Sequence, residues 1–234
     1  MSDNHNDFSY LAANWAAMRE RVDVACVAAG RAPSEVSILP VSKTFPTEAV
    51  RAAVALGLHR FGENKVQEIR EKAGPLSDCG IDWVVIGHLQ TNKAKDVARL
   101  ASEVQSLDRW DLAEALHKRL HIEGRTLDVL VQVKTSPEES KSGLDPSELP
   151  AFLDALDSLA TLRVRGLMTM AVNSDDPEAA RACFRQLRGL RDEAVARGRA
   201  LPRLSMGMSG DFKQAIAEGA TEVRIGTAIF GRRT

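Results

Sequence analysis

The sequence predicts an α/β protein, a single-domain (β/α)8 TIM barrel with an extra N-terminal helix, on three observations. Eight short apolar runs each precede a segment with helical periodicity. The polar residues that do not suit a buried sheet fall at the carboxyl ends of those runs, where barrels of this kind place their chemistry. The length, 234 residues with 44% hydrophobic content, is enough for one sizeable core of that class.

The first element is a long helix over about residues 7–29, with Leu11, Trp15, Met18, Val22 and Cys26 at helical spacing and Gly30 as a stop. The barrel then occupies about residues 36–231. Val36, Ile38, Leu39 and Val41 form the first strand, and Pro46-Thr47-Glu48 opens a helix to Leu56 with Thr47 as its cap. His59–Gly62 is the second strand, followed by a helix opening at Glu63-Asn64-Lys65 and ending near Ala73. Ile81–Leu89 is the third, and Thr91-Asn92 cap a helix to Ala101. Val104–Leu107 precedes a helix over Asp108–His121. Thr126–Lys134 precedes a loop of about a dozen residues, Thr135–Pro146, long enough to suggest a functional role, and then a helix over Ser147–Leu159. Val164–Met170 precedes the helix Pro177–Arg197, stopped by Gly198. Arg203–Met208 precedes Asp211–Glu218, and Glu222–Ile225 is the eighth strand. Pro40 removes a ladder N–H inside the first strand of a ring that has no free edge, so a bulge or unusual register is expected there.

Lys43 ends an apolar strand where a turn residue would be ordinary. An amine partly desolvated by strand neighbours can have its pKa lowered enough to act as a nucleophile toward a carbonyl. The other reading of the same residue is a surface or ion-paired lysine. Asn64, His88, Met168, Ser209 and Gly226 also fall at or just past strand ends.

Two anion-binding signatures follow in series. Ser209-Gly210 precede the seventh helix of the barrel, and Gly226-Thr227 precede a short final helical turn. Small residues there let backbone N–H groups approach an anion closely, and barrels bind phosphate at the loops after strands seven and eight. Each could equally serve only a turn or a cap. Strand alternation puts Arg224 on the same face as Gly226, so its buried charge needs a partner. That partner is either an internal carboxylate, Glu63 or Glu222, or an acceptor atom on a ligand. Ring closure sets strand eight beside strand one, and an amine, a phosphate cradle and a guanidinium at one mouth suit pyridoxal 5′-phosphate (PLP).

Composition narrows the class further. The chain has 31 basic and 32 acidic residues, which gives no nucleic-acid footprint. No apolar stretch approaches spanning length, and the N-terminus lacks a secretory pattern, so no membrane association and a cytoplasmic location are expected. Cys26, Cys79 and Cys183 lie outside any metal-ligand pattern, and reduced, inert thiols are expected. Lys93, Lys95 and Arg99 make a basic helix face, read as solvated or as a site for an anionic partner.

VSKTFP, FGENKVQE, IGHLQTNKAK, ESKSG, GLMTM and SMGMSGDFKQAIAEGATEVRIGTAIFG together resemble the pyridoxal phosphate homeostasis protein family, whose fold is similar to the barrel domain of alanine racemase. The resemblance spans roughly Val22 to Gly231. It implies an internal aldimine on Lys43, phosphate contacts from Ser209, Gly226 and Thr227, Arg224 at the pyridine nitrogen and Asn64 near the ring. It also implies a role in intracellular vitamin B6 and amino-acid homeostasis without established turnover. PLP-dependent apoenzymes are candidate recipients, and a monomeric chain is expected. The departures are Pro40 and Phe45, neither on a proposed contact.

Weak catalysis is also expected from the residues. Racemisation needs proton donors on both faces of a carbanion, the only tyrosine is Tyr10 on the N-terminal helix, and no second domain is expected after Thr234 to supply another. His88 is the sole internal substitute. The alternatives are a weak single-domain racemase using His88 or a partner chain, and a Schiff-base or phosphate-binding barrel enzyme without PLP. Lys65 and Lys141 are lysines that could capture some cofactor if Lys43 were removed.

Overall fold

A computed structural model describes residues 8–138 and 142–231. Lys141 of the ESKSG loop lies outside the described residues. The elements, in chain order, are α1 (Tyr10–Ala28), β1 (Ser37–Pro40), α2 (Thr47–Val54), β2 (Arg60–Glu63), α3 (Val66–Ala73), β3 (Asp82–Val85), α4 (Ala94–Leu100) and β4 (Ala101–Leu107). They continue with α5 (Trp110–Glu123), β5 (Leu127–Gln132), α6 (Leu149–Leu156), β6 (Leu162–Met168), α7 (Pro177–Ala196), β7 (Arg203–Ser205), α8 (Phe212–Ala217), β8 (Glu222–Ile225) and α9 (Thr227–Phe230).

All eight strands are parallel, in the order β1-β8-β7-β6-β5-β4-β3-β2. A parallel bridge between Val41 and Gly62 brings the two ends of that order together and closes the ring. The main core lies between the outer face of the sheet and the helices. It includes Phe61, Leu107, Val129, Leu167 and Leu204 from strands, and Leu112, Leu116, Phe184 and Phe212 from helices. A separate small cluster, Leu39, Val41, Val84 and Ile86, lies inside the ring.

Pro40 causes no bulge. The β1–β8 register runs unbroken from Ser37↔Glu222 to Pro40↔Ile225. The amides of Ser37 and Val41 donate to Thr221 and Ile225 at 2.9 and 2.8 Å, so residue 40 directs its missing donor toward β2. There the two strands share only the Val41–Gly62 bridge, and the ladder loses little. The irregularities fall instead between β3 and β4, β4 and β5, and β5 and β6.

Two further expectations are corrected. Pro46, not Thr47, holds the N-cap position of α2, and no side chain caps that helix. β4 begins at Ala101 instead of Val104, because Glu103 and Gln105 face the barrel interior and break the apolar pattern on which the strand was read.

The interior below the site is polar. Glu103 accepts from Arg60 at 2.9 Å and from Arg203 at 2.6 Å, and Glu222 accepts from Arg203 at 2.9 Å and also pairs with Arg60. Gln105 donates to both carboxylates. Burial alone would raise the Glu222 carboxyl, but Arg60 and Arg203 hold it below the ordinary range. Outside the barrel, α1 packs on α8 and α9, with Tyr10 Oη donating to Phe230 O at 2.9 Å and Asn14 Nδ2 to Ile229 O at 3.0 Å. These bonds occupy carbonyls that a helix end leaves without partners. No helix among the described residues is long and apolar enough to cross a membrane.

Candidate active site

A pocket of about 430 Å³ opens at the carboxyl ends of the strands. Lys43 and Val41 reach it from the end of β1, Asn64 from β2, and Ile86, Gly87 and His88 from β3. Met170 follows β6, Met208, Ser209 and Gly210 follow β7, and Arg224, Gly226 and Thr227 come from β8 and the start of α9. Eight of the residues singled out from sequence therefore line one pocket: Lys43, Asn64, His88, Ser209, Gly210, Arg224, Gly226 and Thr227.

Met168 does not line this pocket. It is fully buried at the end of β6, and Met170, two residues past the strand, takes the pocket position. The strand stops two residues earlier than the apolar run suggests, which moves the rim forward.

Lys43 is half-buried in a tight turn. Phe45 N–H donates to Ser42 O at 3.1 Å, and Thr44 has φ of +68°, the one positive φ outside glycine among the described residues. Asn64 and Gly87 pack backbone to backbone: a Cβ on residue 87 would sit 2.2 Å from Asn64 O, so only glycine fits. Gly207 turns the chain toward Ser209 at φ of +95°, where a Cβ would sit 2.5 Å from Ala215 Cβ.

Arg224 is 5% exposed and finds neither of the carboxylate partners considered from sequence. Its Nη1 donates to Ser205 O and Oγ, both at 2.8 Å, and its Nη2 to Thr169 O at 2.8 Å. Glu222 is engaged by Arg60 and Arg203, and Glu63 by Ser42 and Lys72. Burial pulls the Arg224 guanidinium below its ordinary value, against the attraction of Glu222 and Asp211. A guanidinium remains charged under that pressure, so the pocket keeps a fixed cation in its wall. Ser205 Oγ in turn donates to Gln105 Oε1 at 2.7 Å, which ties Arg224 to the ionic layer below.

His88 has a side chain 53% exposed, and its Nδ1 lies 3.8 Å from Asp108 Oδ2. Asp211 is pushed up by burial, though it accepts from Met208 N–H at 2.5 Å and lies near Arg224. On the anion side, the first amides of α9, beginning at Thr227, have no acceptor within their own helix. The pocket can thus present an amine, a guanidinium, a hydroxyl and backbone donors to one small anionic molecule.

Sequence reasoning missed the layer beneath Lys43. Glu63, Glu68 and Lys72 interlock under the turn, with Lys72 Nζ 2.6 Å from Glu63 Oε1 and 3.3 Å from Glu68 Oε2. The available signal was Lys72 three residues after Ile69, on the buried stripe of α3.

Residues 7–234 match the family model for the alanine racemase N-terminal domain. A relative from Aquifex aeolicus named "Pyridoxal phosphate homeostasis protein" is 44% identical over 92% of this chain and 94% of its own. One of the same name from Pseudomonas aeruginosa is 44% identical over 96% of each. Among solved structures, PipY of Synechococcus elongatus with PLP bound has a TM-score of 0.83 at 36% identity, covering 94% of this chain and 100% of that one. Alanine racemase of Corynebacterium glutamicum, at 18% identity and a TM-score of 0.68, shares the fold over 93% of this chain and 61% of its own. The fold, the pocket at its carboxyl rim and these similarities agree: the chain belongs to the pyridoxal phosphate homeostasis protein family, on the alanine racemase N-terminal barrel.

Proposed function

We propose that the protein binds PLP in the 430 Å³ pocket through Lys43 and acts in PLP and amino-acid homeostasis as a holder of the cofactor, without efficient catalysis. The observation that carries this reading is the convergence of Lys43, Arg224, Ser209, Gly226 and Thr227 on one pocket, contributed by the first strand of the ring and its last two. The donor set fits the group. PLP, when bound, supplies an aldehyde that an amine can capture and a ring that can delocalise electrons.

Each residue's part follows from its chemistry. Lys43 would supply the amine that captures the aldehyde. Ser209 Oγ and the amides at Gly226 and Thr227 hold the phosphate, the arrangement barrels favour after strands seven and eight. Arg224, which lines the same pocket, would hold the ring nitrogen. Because a guanidinium only donates, it keeps that nitrogen unprotonated and weakens the ring as an electron sink. Asn64 lies beside the ring. Among the described residues, His88 is the one titratable side chain that lines the pocket besides Lys43 and Arg224, and its exposed position suits a hydrogen bond more than proton delivery to the face opposite Lys43.

The relative with PLP bound and the shared family name support this reading. Titrating the purified protein with PLP tests it. The parent is expected to gain a visible absorbance band that Lys43→Ala lacks. A full band in Lys43→Ala, or none in the parent, would reject it. Incubation of the loaded protein with a single amino-acid enantiomer is expected to leave that enantiomer unchanged, and racemisation abolished by His88→Ala would favour the weak-racemase alternative.

A further inference from the structure

Lys43 stands in a turn whose conformation its own residues do not favour. The turn spans Ser42 to Phe45, closed by the Phe45 N–H to Ser42 O bond of 3.1 Å, and its third residue is Thr44 at φ of +68°. That conformation belongs to glycine or asparagine in such turns, and a β-branched residue there is strained. Something outside the turn must fix it.

Three side chains from β2 and α3 do so. Lys72 is 8% exposed, and its ammonium has three acceptors for its three protons: Ser42 O at 2.8 Å, Glu63 Oε1 at 2.6 Å and Glu68 Oε2 at 3.3 Å. Glu63, with no exposure, accepts from Ser42 Oγ at 2.6 Å. Glu68 Oε2 accepts from the Thr44 amide at 2.6 Å. The residue before Lys43 is therefore gripped through its carbonyl and its hydroxyl, and the residue after it through its N–H. The sequence order explains why the grip is possible: Glu68 and Lys72 stand four apart on α3, one turn apart on one face, and Glu63 ends the neighbouring strand.

We propose that Glu68 and Lys72, supported by Glu63, are positioning residues for Lys43, fixing the strained turn so that its amine is aimed into the pocket before the cofactor arrives. The inference rests on Lys43 as the attachment point. Pre-setting one long, flexible side chain removes an ordering cost from binding, so its loss appears as weaker cofactor affinity and a looser bound geometry.

Glu68→Ala removes the Thr44 acceptor at a partly exposed site, and Glu68→Gln keeps an acceptor there. Lys72→Met combined with Glu63→Gln removes the Ser42 carbonyl grip without leaving a buried charge unpaired. PLP titrations of these three variants, the parent and Lys43→Ala are read by visible absorbance and by circular dichroism in the same band. Thermal unfolding of the PLP-free protein is recorded alongside. Glu68→Ala is expected to bind PLP roughly fivefold to tenfold more weakly and with reduced visible dichroism, as for the loss of a single hydrogen bond. Its unfolding temperature is expected to stay within about 4 °C of the parent. Glu68→Gln is expected to restore both cofactor readouts, and the double variant to lose affinity by a similar or larger factor. Parent-like affinity and dichroism in Glu68→Ala would overturn the proposal, as would a loss that Glu68→Gln fails to rescue. Failure of the Lys43 assignment is seen separately, as a full band in Lys43→Ala or no band in the parent.

Discussion

Glu63 shows how a single buried carboxyl beside the site makes itself measurable. Burial raises its pKa from 4.5 to about 7, against the opposing pull of Lys72 and the Ser42 hydroxyl. The unfolded chain gives up that proton more readily than the folded one, so this contribution to stability is present below about pH 4.5 and is lost as pH rises through about 7. Glu63→Gln keeps an acceptor for Ser42 and removes the titration. Thermal unfolding between pH 5 and pH 8 is expected to fall less steeply in the variant, and equal slopes would contradict the assignment. A second residue-scale expectation concerns Arg224. Arg224→Gln is expected to retain cofactor attachment while shifting the visible band, because the group at the ring nitrogen changes from a charged to a neutral donor; an unshifted band would count against that placement. Lys43 and Arg224 were legible because a charge at the end of an apolar run is conspicuous. Lys72 was not, since a lysine on a helix ordinarily reads as solvated even three residues after Ile69 on the buried stripe, and its approach to Ser42 is what gives it a role. Met168 was chosen in place of Met170 because the run GLMTM marks a strand end only to within two residues.

Among elements, α1 and α9 depend on one another. The periodicity of Leu11, Trp15, Met18, Val22 and Cys26 announced a packed helix; Trp15 is half-buried against the core and the other four are buried. Its polar side chains carried no sequence signal for their partners, because the carbonyls of residues 229 and 230 lie more than two hundred positions away. Asn14→Ala and Tyr10→Phe are each expected to cost about 1 kcal/mol, measured as a fall in the urea midpoint at unchanged slope. Because α9 begins at the proposed phosphate donors, the pair should also weaken PLP binding slightly. No change in midpoint for either variant would show that these bonds do not hold the helix end. β4 shows the opposite limit: interior Glu103 and Gln105 suit a barrel lumen but not an apolar strand pattern, and so its first three residues were left out of the expected strand.

At the scale of the whole molecule, the count of strands and the ring they close were legible because each apolar run was followed by a helical one. Which side chains meet across the lumen was not, because that depends on register and tilt that no local pattern carries. The result is the layer of Arg60, Arg203, Glu103 and Glu222, drawn from four strands and linked through Gln105 and Ser205 to Arg224. Glu222→Ala would remove a fully buried carboxylate and leave two partly buried arginines short of a counter-charge, and a loss of about 3 kcal/mol or more in unfolding free energy is expected. A loss below about 1 kcal/mol would mean that the layer fills space and does little else.

The central claim is that the ring brings an amine on its first strand and anion donors on its eighth to a single molecule of PLP. Borohydride reduction of the PLP-loaded protein, followed by peptide mass mapping, tests it most directly. The reduced cofactor is expected on the peptide containing Lys43 and in unit stoichiometry. Its recovery mainly on Lys65, Lys141 or another lysine of the parent protein would contradict the account.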